Sequence, residues 1–287
     1  MTEIKYNEPM RNHTSFKIGG PVSEMWFPKS DTELQDTLAL LHNRGVSPLV
    51  IGRGTNLLVS DSPLDIVVVK TYPELAKTEV RGNEIYARSG AALSAIAALA
   101  RDNSLTGFEF AHGIPGSLGG AIFMNAGAYG GDMAGVTAHV YAFDSGGELL
   151  GFTNEQCGFS YRHSVFSVTG DVILAAKIQL ERGDADEIAA KMRDLAERRR
   201  ESQPLDLPGA GSAFKRPKNG FAAQMIDEAG LRGYRVGDAA VSDKHAGFIV
   251  NLGGATCDDV LRVIEHVRSE VFKRFGVELE PEIRMIK

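Results

Sequence analysis

The sequence is poor in cysteine: Cys157 and Cys257 are the two in 287 residues, and neither lies in a C-x-x-C or other metal-ligand spacing. A disulfide-stapled scaffold and a thiolate metal cluster are excluded, and lone thiols are what a reducing compartment leaves. Long apolar runs are missing as well, since none approaches the ~18 residues of a membrane-spanning helix. The opening MTEIKYNEPM has neither the basic start nor the apolar stretch of a secretory signal. Basic charge is not in excess: 31 basic against 37 acidic side chains give a formal charge of −6. A nucleic-acid binder with a broad basic face is therefore not expected, and an anionic ligand has to be held by a local site. These absences predict a cytoplasmic protein with no membrane and no nucleic-acid partner, in which the Asn12-His13-Thr14 match to a glycosylation acceptor is accidental.

Glycine is what the chain has in quantity. Its 32 copies cluster in a few loops, which is the pattern of backbone brought close to a ligand. Hydrophobic residues at 43% and charged residues at 24% allow a sizeable core. Ser30 and Glu33 have capping-box spacing ahead of Leu34, Leu38 and Leu41, and Gly45 stops that helix. Short β-rich runs at 25–27, 49–51, 57–59 and 66–69 surround it, followed by a hairpin through Gly82-Asn83 and an alanine-rich helix over 91–101. Strands resume at 136, turn at Gly146-Gly147 and reach 172–174. Gly183-Asp184 breaks the pattern before a charged helix over 186–200. Beyond it come a loop over 204–217, a helix over 221–229, a strand at 248–250, a long helix over 258–275 and a last strand near Ile283. No repeat and no metal-ligand cluster is visible.

Two glycine loops carry the chemistry. The first, Gly52-Arg53-Gly54-Thr55-Asn56, begins as a dinucleotide fingerprint but has Leu57 where the third glycine belongs, and a strand follows instead of a helix. It is either an anion-binding nest or a plain strand-to-strand turn. The second runs from Gly113 to Gly120 and opens a helix expected to continue through Met124-Asn125. Pro115 stiffens the approach, Gly116 and Ser117 suit a helix start, and Gly119 and Gly120 let that helix press against backbone or cofactor. Close helix–sheet packing explains the glycines too, but two such regions in one domain favour a large dinucleotide, and flavin over nicotinamide.

The runs GRGTNLLVSD, GFEFAHGIPGSLGGAIFMNAGAYGG, YRHSVF, GSAFKRP, AAQMIDEAGLRG, VSDKHAGFIVN and PEIRMI occur in that order. In that set the chain resembles the UDP-N-acetylenolpyruvoylglucosamine reductase family over residues 12–286. The resemblance implies an α+β chain: an FAD-binding domain of the p-cresol methylhydroxylase type over 1–182, then a smaller α+β substrate-binding domain over 183–287. It also implies noncovalent FAD, NADPH as reductant and UDP-N-acetylglucosamine enolpyruvate as substrate, with His112 not expected to anchor flavin covalently. The oligomeric state stays open. Cofactor contacts are implied for Gly52, Arg53, Gly54, Thr55, Asn56, Leu57, Gly113, Ile114, Pro115, Gly116, Ser117, Gly119, Gly120, Asn125, Ala126, Gly127 and Ile173.

Reducing an enolpyruvyl ether requires a reduced flavin against the alkene, a group that holds the developing negative charge, and a proton donor to the carbanion. The resemblance gives the charge-holding role to Arg162 and Glu282, the latter as a protonated acid, and the proton to Ser212. Substrate contacts are implied for Tyr161, Lys215, Arg216, His245 and Arg284. Lys215 is also a candidate to stabilise the Ser212 alkoxide, and Arg199 and Arg200 are further cations, although a solvated helix face explains 198–200 equally well. Thr55, Arg216 and Gly209-Ala210 depart from common family residues in ways that touch affinity. Nine residues separate Arg162 from Val172, too few for the tyrosine-bearing loop of the longer family form. Two other readings are an FAD oxidase of the same fold and a non-catalytic nucleotide-binding module.

Overall fold

The computed structural model describes residues 2–287 and divides into two compact units. The first comprises the described residues up to Tyr6 with Glu24–Arg53 and Ile66–Arg198, and the second Asn7–Ser23, Gly54–Asp65 and Arg199–Lys287. The division therefore differs from a single cut between 182 and 183. The helix Ala185–Ser202 starts in one unit and ends in the other, and two early segments belong with the C-terminal part. Long-range packing is the reason: Phe16, Ile18 and Leu58 share a core with Val260, Ile264 and Val267, and Leu57–Val59 pairs in parallel with Arg284–Ile286.

In the first unit a five-stranded antiparallel sheet runs in the order Leu149–Thr153, Thr137–Phe143, Val172–Gln179, Glu84–Arg88, Thr78–Arg81. The central strand is apolar almost throughout because both its faces are covered. Ile173, Ala176 and Ile178 meet the helices Leu93–Asp102 and Leu118–Phe123 on one side. Val172, Leu174 and Ala175 meet Leu34, Leu38 and Leu41 of the helix Asp31–Asn43 on the other. A register shift between Tyr141 and Ala142 lets consecutive Leu174 and Ala175 serve the same face. Ser30 caps Asp31–Asn43 by accepting from Glu33 N–H at 3.1 Å, while the Glu33 carboxylate reaches Lys29 N–H at 2.9 Å instead of closing the box on Ser30.

The second unit holds an antiparallel sheet in the order Gly209–Ser212, Phe248–Asn251, Ala239–Val241, Arg235–Val236. The helices Ala222–Glu228 and Cys257–Phe275 supply Ile226, Val260, Val263, Ile264, Val267 and Val271 to its core. Thr256 and Asp259 form a reciprocal capping box, with bonds of 3.1 and 3.0 Å, at the start of the long helix. The segment 204–217, expected as a loop, thus contains an edge strand. Gly209, Ala210 and Gly211 carry no β signal, and what makes them a strand is the partner Phe248–Asn251.

Candidate functional site

The first unit brings the start of one glycine loop against the other. Gly52 lies beside Ser117, and a Cβ at position 52 would overlap the Ser117 hydroxyl. The segment 116–119 is strapped to 89–93 by Leu93 N–H to Gly116 O at 3.1 Å, Leu118 N–H to Ala91 O at 2.9 Å and Gly119 N–H to Ser89 O at 2.8 Å. Gly119 needs to be glycine there, because a Cβ would come within 2.8 Å of Ser89 Cβ. Gly120 does not: it is exposed, and the nearest atom to an added Cβ is Ser117 Oγ at 3.9 Å. The hydroxyls of Ser89 and Ser117 are buried without a hydrogen-bond partner among the described residues. Buried donors are ordinarily satisfied. Two unpartnered hydroxyls beside side-chain-free backbone fit a ligand rich in acceptor oxygens, such as a dinucleotide, and this is the fit expected for FAD.

The remaining first-unit candidates have these places. Arg53 stacks its guanidinium over Tyr72 at 4.9 Å. Gly113 and Ile114 are half-buried, Pro115 is exposed, and Ile114 N–H donates to Ala111 O at 3.0 Å. Ile173 is buried in the central strand. The helix opened by Ser117 ends at Phe123 and does not continue through Met124-Asn125, because Asn125 takes a φ of +44°. Ala126 is buried, and Gly127 approaches Gly131 and Asp132 so closely that a Cβ would lie 2.7 Å from Gly131 O. Gly127–Ala128 and Gly131–Asp132 form a hairpin whose turn residues, Tyr129 and Gly130, both have positive φ.

Tyr161 and Arg162 are the two central residues of another tight turn. Ser160 N–H donates to His163 O at 3.1 Å and His163 N–H to Ser160 O at 3.2 Å. Arg162 has a φ of +56°, as the second central residue of a type II turn requires, and its guanidinium lies 5.1 Å from the Tyr161 ring centroid. A non-glycine residue held left-handed is unusual and draws attention to the side chain it carries. After the turn the chain makes only the short helix Phe166–Thr169, capped by Gly170 at φ +78°, before the strand Val172–Gln179. No further loop is inserted.

In the second unit the other half of the first glycine loop joins the C-terminal strand. Gly54 has a φ of +64°, and a Cβ there would overlap His13 O. Asn56 accepts from Arg284 N–H at 3.0 Å and donates through Nδ2 to Glu282 O at 3.2 Å, and buried Leu57 pairs with Arg284. Thr55 is half-buried between them. Ser212 follows a register shift in which Gly209 faces Val250 and Ser212 faces Phe248, with Gly211 at φ +76°. Such a bulge re-aims the side chain that follows it. Glu282 N–H donates to Ala213 O at 2.9 Å and Lys215 N–H to Glu280 O at 2.8 Å, so Ser212 and Glu282 lie on adjoining segments.

The cations of this unit divide. Lys215 Nζ is engaged by Glu280 at 2.5 Å, which takes it away from the Ser212 alkoxide role expected of it. Arg216 stacks over exposed Phe221 at 4.1 Å, and Arg284 is exposed. Arg199 is buried while Arg198 and Arg200 are exposed, so 198–200 is not a uniformly solvated face. His245 accepts from Gly247 N–H through Nδ1 at 3.1 Å and meets Phe248 edge-on at 4.9 Å. Burial, with a further push from Arg232 and against a backbone hydrogen bond that favours the charged form, holds its imidazole below the usual histidine pKa, and the bond from Gly247 N–H leaves Nε2 as the protonated nitrogen of the neutral ring.

Sequence reasoning missed Ser89, whose only local signal is a Ser-Gly pair, and the fastening of the Arg162 turn. Asn125 donates to Ser160 O at 3.1 Å and Ser164 Oγ donates to Phe123 O at 2.7 Å. Neither contact has a signature in the chain.

Residues 23–150 match the family described as FAD binding domain, and residues 203–286 match UDP-N-acetylenolpyruvoylglucosamine reductase, C-terminal domain. The UDP-N-acetylenolpyruvoylglucosamine reductase of Caldanaerobacter subterraneus subsp. tengcongensis is 49% identical over 284 residues, 99% of this chain and 94% of the relative. That of Clostridioides difficile is 42% identical over 284 residues, 99% of this chain and 93% of the relative. The crystal structure of UDP-N-acetylenolpyruvylglucosamine reductase from Thermus caldophilus has a TM-score of 0.88 at 31% identity, with all of both chains covered. The paired glycine segments of an FAD-binding domain and a C-terminal domain of this kind stand in one chain, which therefore belongs to the UDP-N-acetylenolpyruvoylglucosamine reductase family of FAD-containing oxidoreductases.

Proposed function

We propose that this chain is a cytoplasmic, NADPH-dependent reductase that converts UDP-N-acetylglucosamine enolpyruvate to UDP-N-acetylmuramate, a step of peptidoglycan precursor synthesis. FAD is held noncovalently. The observation that supports this reading is the backbone bond from Glu282 N–H to Ala213 O, which joins the segment carrying Glu282 to the residue after the Ser212 bulge in the second unit.

FAD bound beside Gly52, Ser89 and Ser117 would supply the hydride chemistry, with NADPH as reductant, that reduction of the enolpyruvyl alkene at its terminal carbon requires. Negative charge then develops on the neighbouring carbon and its carboxylate. Arg162 pairs its planar guanidinium with that carboxylate. Glu282, protonated, donates a hydrogen bond to the developing enolate, as a carboxylic acid kept neutral by its surroundings can. Ser212 Oγ gives its proton to the carbanion, which is basic enough to accept from a hydroxyl. Tyr161, Arg216, Arg284 and neutral His245 bind the nucleotide, His245 through Nε2–H. Lys215 binds it only by exchanging Glu280 for a phosphate. Ser89, Ser117, Gly52 and Gly120 form the part of the cradle that a dinucleotide occupies. Nicotinamide and substrate use the same site in turn, in agreement with the lack of a separate G-x-G-x-x-G segment.

An anaerobic spectral titration of the purified yellow protein tests this. NADPH is expected to bleach the flavin absorption, and the enolpyruvyl nucleotide is expected to restore it stoichiometrically. Reoxidation by oxygen alone, with no response to the nucleotide, would overturn the assignment.

A further inference from the structure

We infer that Asn125 is a positioning residue for Arg162, acting through the backbone of the Tyr161-Arg162 turn. Its side chain is almost fully buried, and its carboxamide, expected from the resemblance to touch the cofactor, is engaged at both ends by protein groups. Nδ2 donates to Ser160 O at 3.1 Å and to Asp132 Oδ2 at 3.4 Å, and Oδ1 accepts from Ala134 N–H at 2.9 Å. The reverse orientation of the amide would set an NH2 group against the Ala134 N–H, so this network fixes which end faces Ser160. Ser160 is the residue at which the turn opens, and Arg162 is two positions on, held left-handed. On the other flank the fully buried Ser164 donates from Oγ to Phe123 O at 2.7 Å. The turn is thus bolted at 160 and 164 to residue 125, just beyond the helix opened by Ser117, and to residue 123, its last residue.

That helix lines the dinucleotide cradle, so one short segment sets both the cofactor surface and the origin of the Arg162 side chain. A long side chain leaving a strained turn magnifies small rotations of the backbone, and a displacement of about 1 Å at a reacting group costs on the order of a hundredfold in rate. Asn125 itself has a positive φ of +44°. Glycine can therefore replace it without backbone strain, and that substitution isolates the loss of the carboxamide.

The inference rests on Arg162 holding the substrate carboxylate, and the test separates the two claims. Asn125→Gly and Asn125→Asp are compared with the parent holoenzyme, alone and combined with Arg162→Ala. Asn125→Asp keeps the acceptor for Ala134 and removes the donor to Ser160. Each single variant is expected to retain bound FAD and its bleaching by NADPH, to lower kcat/KM for the enolpyruvyl nucleotide by about tenfold to a hundredfold, and to have no further effect in the Arg162→Ala background. Full kcat/KM in both Asn125 variants, multiplicative losses with Arg162→Ala, or loss of FAD alone would overturn the positioning role. Unchanged turnover in Arg162→Ala would instead overturn the reading of Arg162 on which it rests.

Discussion

Glu282 donates its backbone N–H to the carbonyl of Ala213 at 2.9 Å, one residue after Ser212. A residue near the C-terminus and one some seventy positions earlier in the chain are thereby held in register, with a further bond from Lys215 N–H to Glu280 O at 2.8 Å. Neither side chain is needed to keep that register, so their chemistry can be removed without dismantling the frame.

The first prediction follows. Ser212→Ala is expected to leave NADPH reduction of the flavin at the parent rate and to slow reoxidation by the enolpyruvyl nucleotide by about 10²–10⁴, the range of a lost general acid. Stopped-flow absorbance of the two half-reactions checks it, and normal turnover removes Ser212 from the mechanism.

Arg162 separates stability from activity. Its left-handed backbone costs about 1–2 kcal/mol for a side chain other than glycine. Arg162→Gly removes that cost, loses about 0.5–1 kcal/mol through the freer unfolded chain, and gives up a stacking contact with Tyr161 worth about 0.5–1 kcal/mol at an exposed site. These terms nearly cancel, and the net change in stability is expected to lie within about 1 kcal/mol of zero. kcat/KM for the nucleotide is expected to fall by roughly 10–150-fold, the worth of a charge-assisted hydrogen bond. Thermal unfolding and steady-state kinetics on the same preparation check both; near-parent stability with intact kinetics would contradict the assignment.

Two glycines in the loops are expected to respond in opposite ways. Gly54→Ala places a Cβ on the His13 carbonyl at a φ of +64°, and should destabilise the protein by more than about 2 kcal/mol. Gly120→Ala meets nothing nearer than Ser117 Oγ at 3.9 Å and lies within the helix Leu118–Phe123. It should stabilise the flavin-free protein by up to about 1 kcal/mol, while its methyl group intrudes on the cradle and weakens FAD binding at least about tenfold, or ~1.4 kcal/mol. Urea midpoints of the apoprotein and fluorescence titration with FAD separate the two effects.

The contrast between these glycines shows what could be read from the chain. Glycine enrichment marked loops and not roles: the same letter meets nearly open space at 120, closes a tight hairpin at 127 and makes a left-handed turn at 54. The helices were legible because caps and spacing are local: Ser30, Thr256 and Gly276 bound their elements by contacts within a few residues. The strand Gly209–Ser212 was not, since a Gly-Ala-Gly-Ser run has no β propensity and is made a strand by Phe248–Asn251. The assignment of 7–23 and 54–65 to the C-terminal unit was hidden for the same reason, being decided by Phe16 and Leu58 packing against a helix some two hundred residues away. Ser212, Glu282 and Arg162 were named from the family resemblance, because an isolated serine, glutamate or arginine announces nothing. Their frame, a bulge, a shared backbone bond and a strained turn, is a property of the fold.

Glu109 supplies a pH-dependent prediction away from the chemistry. The carboxylate is buried, which by itself would raise its pKa. Hydrogen bonds from Thr106 Oγ1 at 2.7 Å and Gly107 N–H at 3.1 Å, together with Lys191 Nζ at 3.2 Å, outweigh that and hold it below the usual glutamate value. A lowered pKa in the folded state means that the unfolded chain binds the proton more readily, so stability rises with pH across the interval between the two values. The contribution is complete above the unfolded value of about 4.3 and is lost as pH falls through the folded one. Glu109→Gln keeps the shape but cannot accept from all three donors as an anion. It is expected to cost about 1–3 kcal/mol at pH 7, with the difference shrinking as the parent carboxylate is protonated below about pH 4. Urea unfolding of both proteins between about pH 3 and pH 7 reads this directly, and a cost independent of pH would show that packing at this site, not charge, is what Glu109 provides.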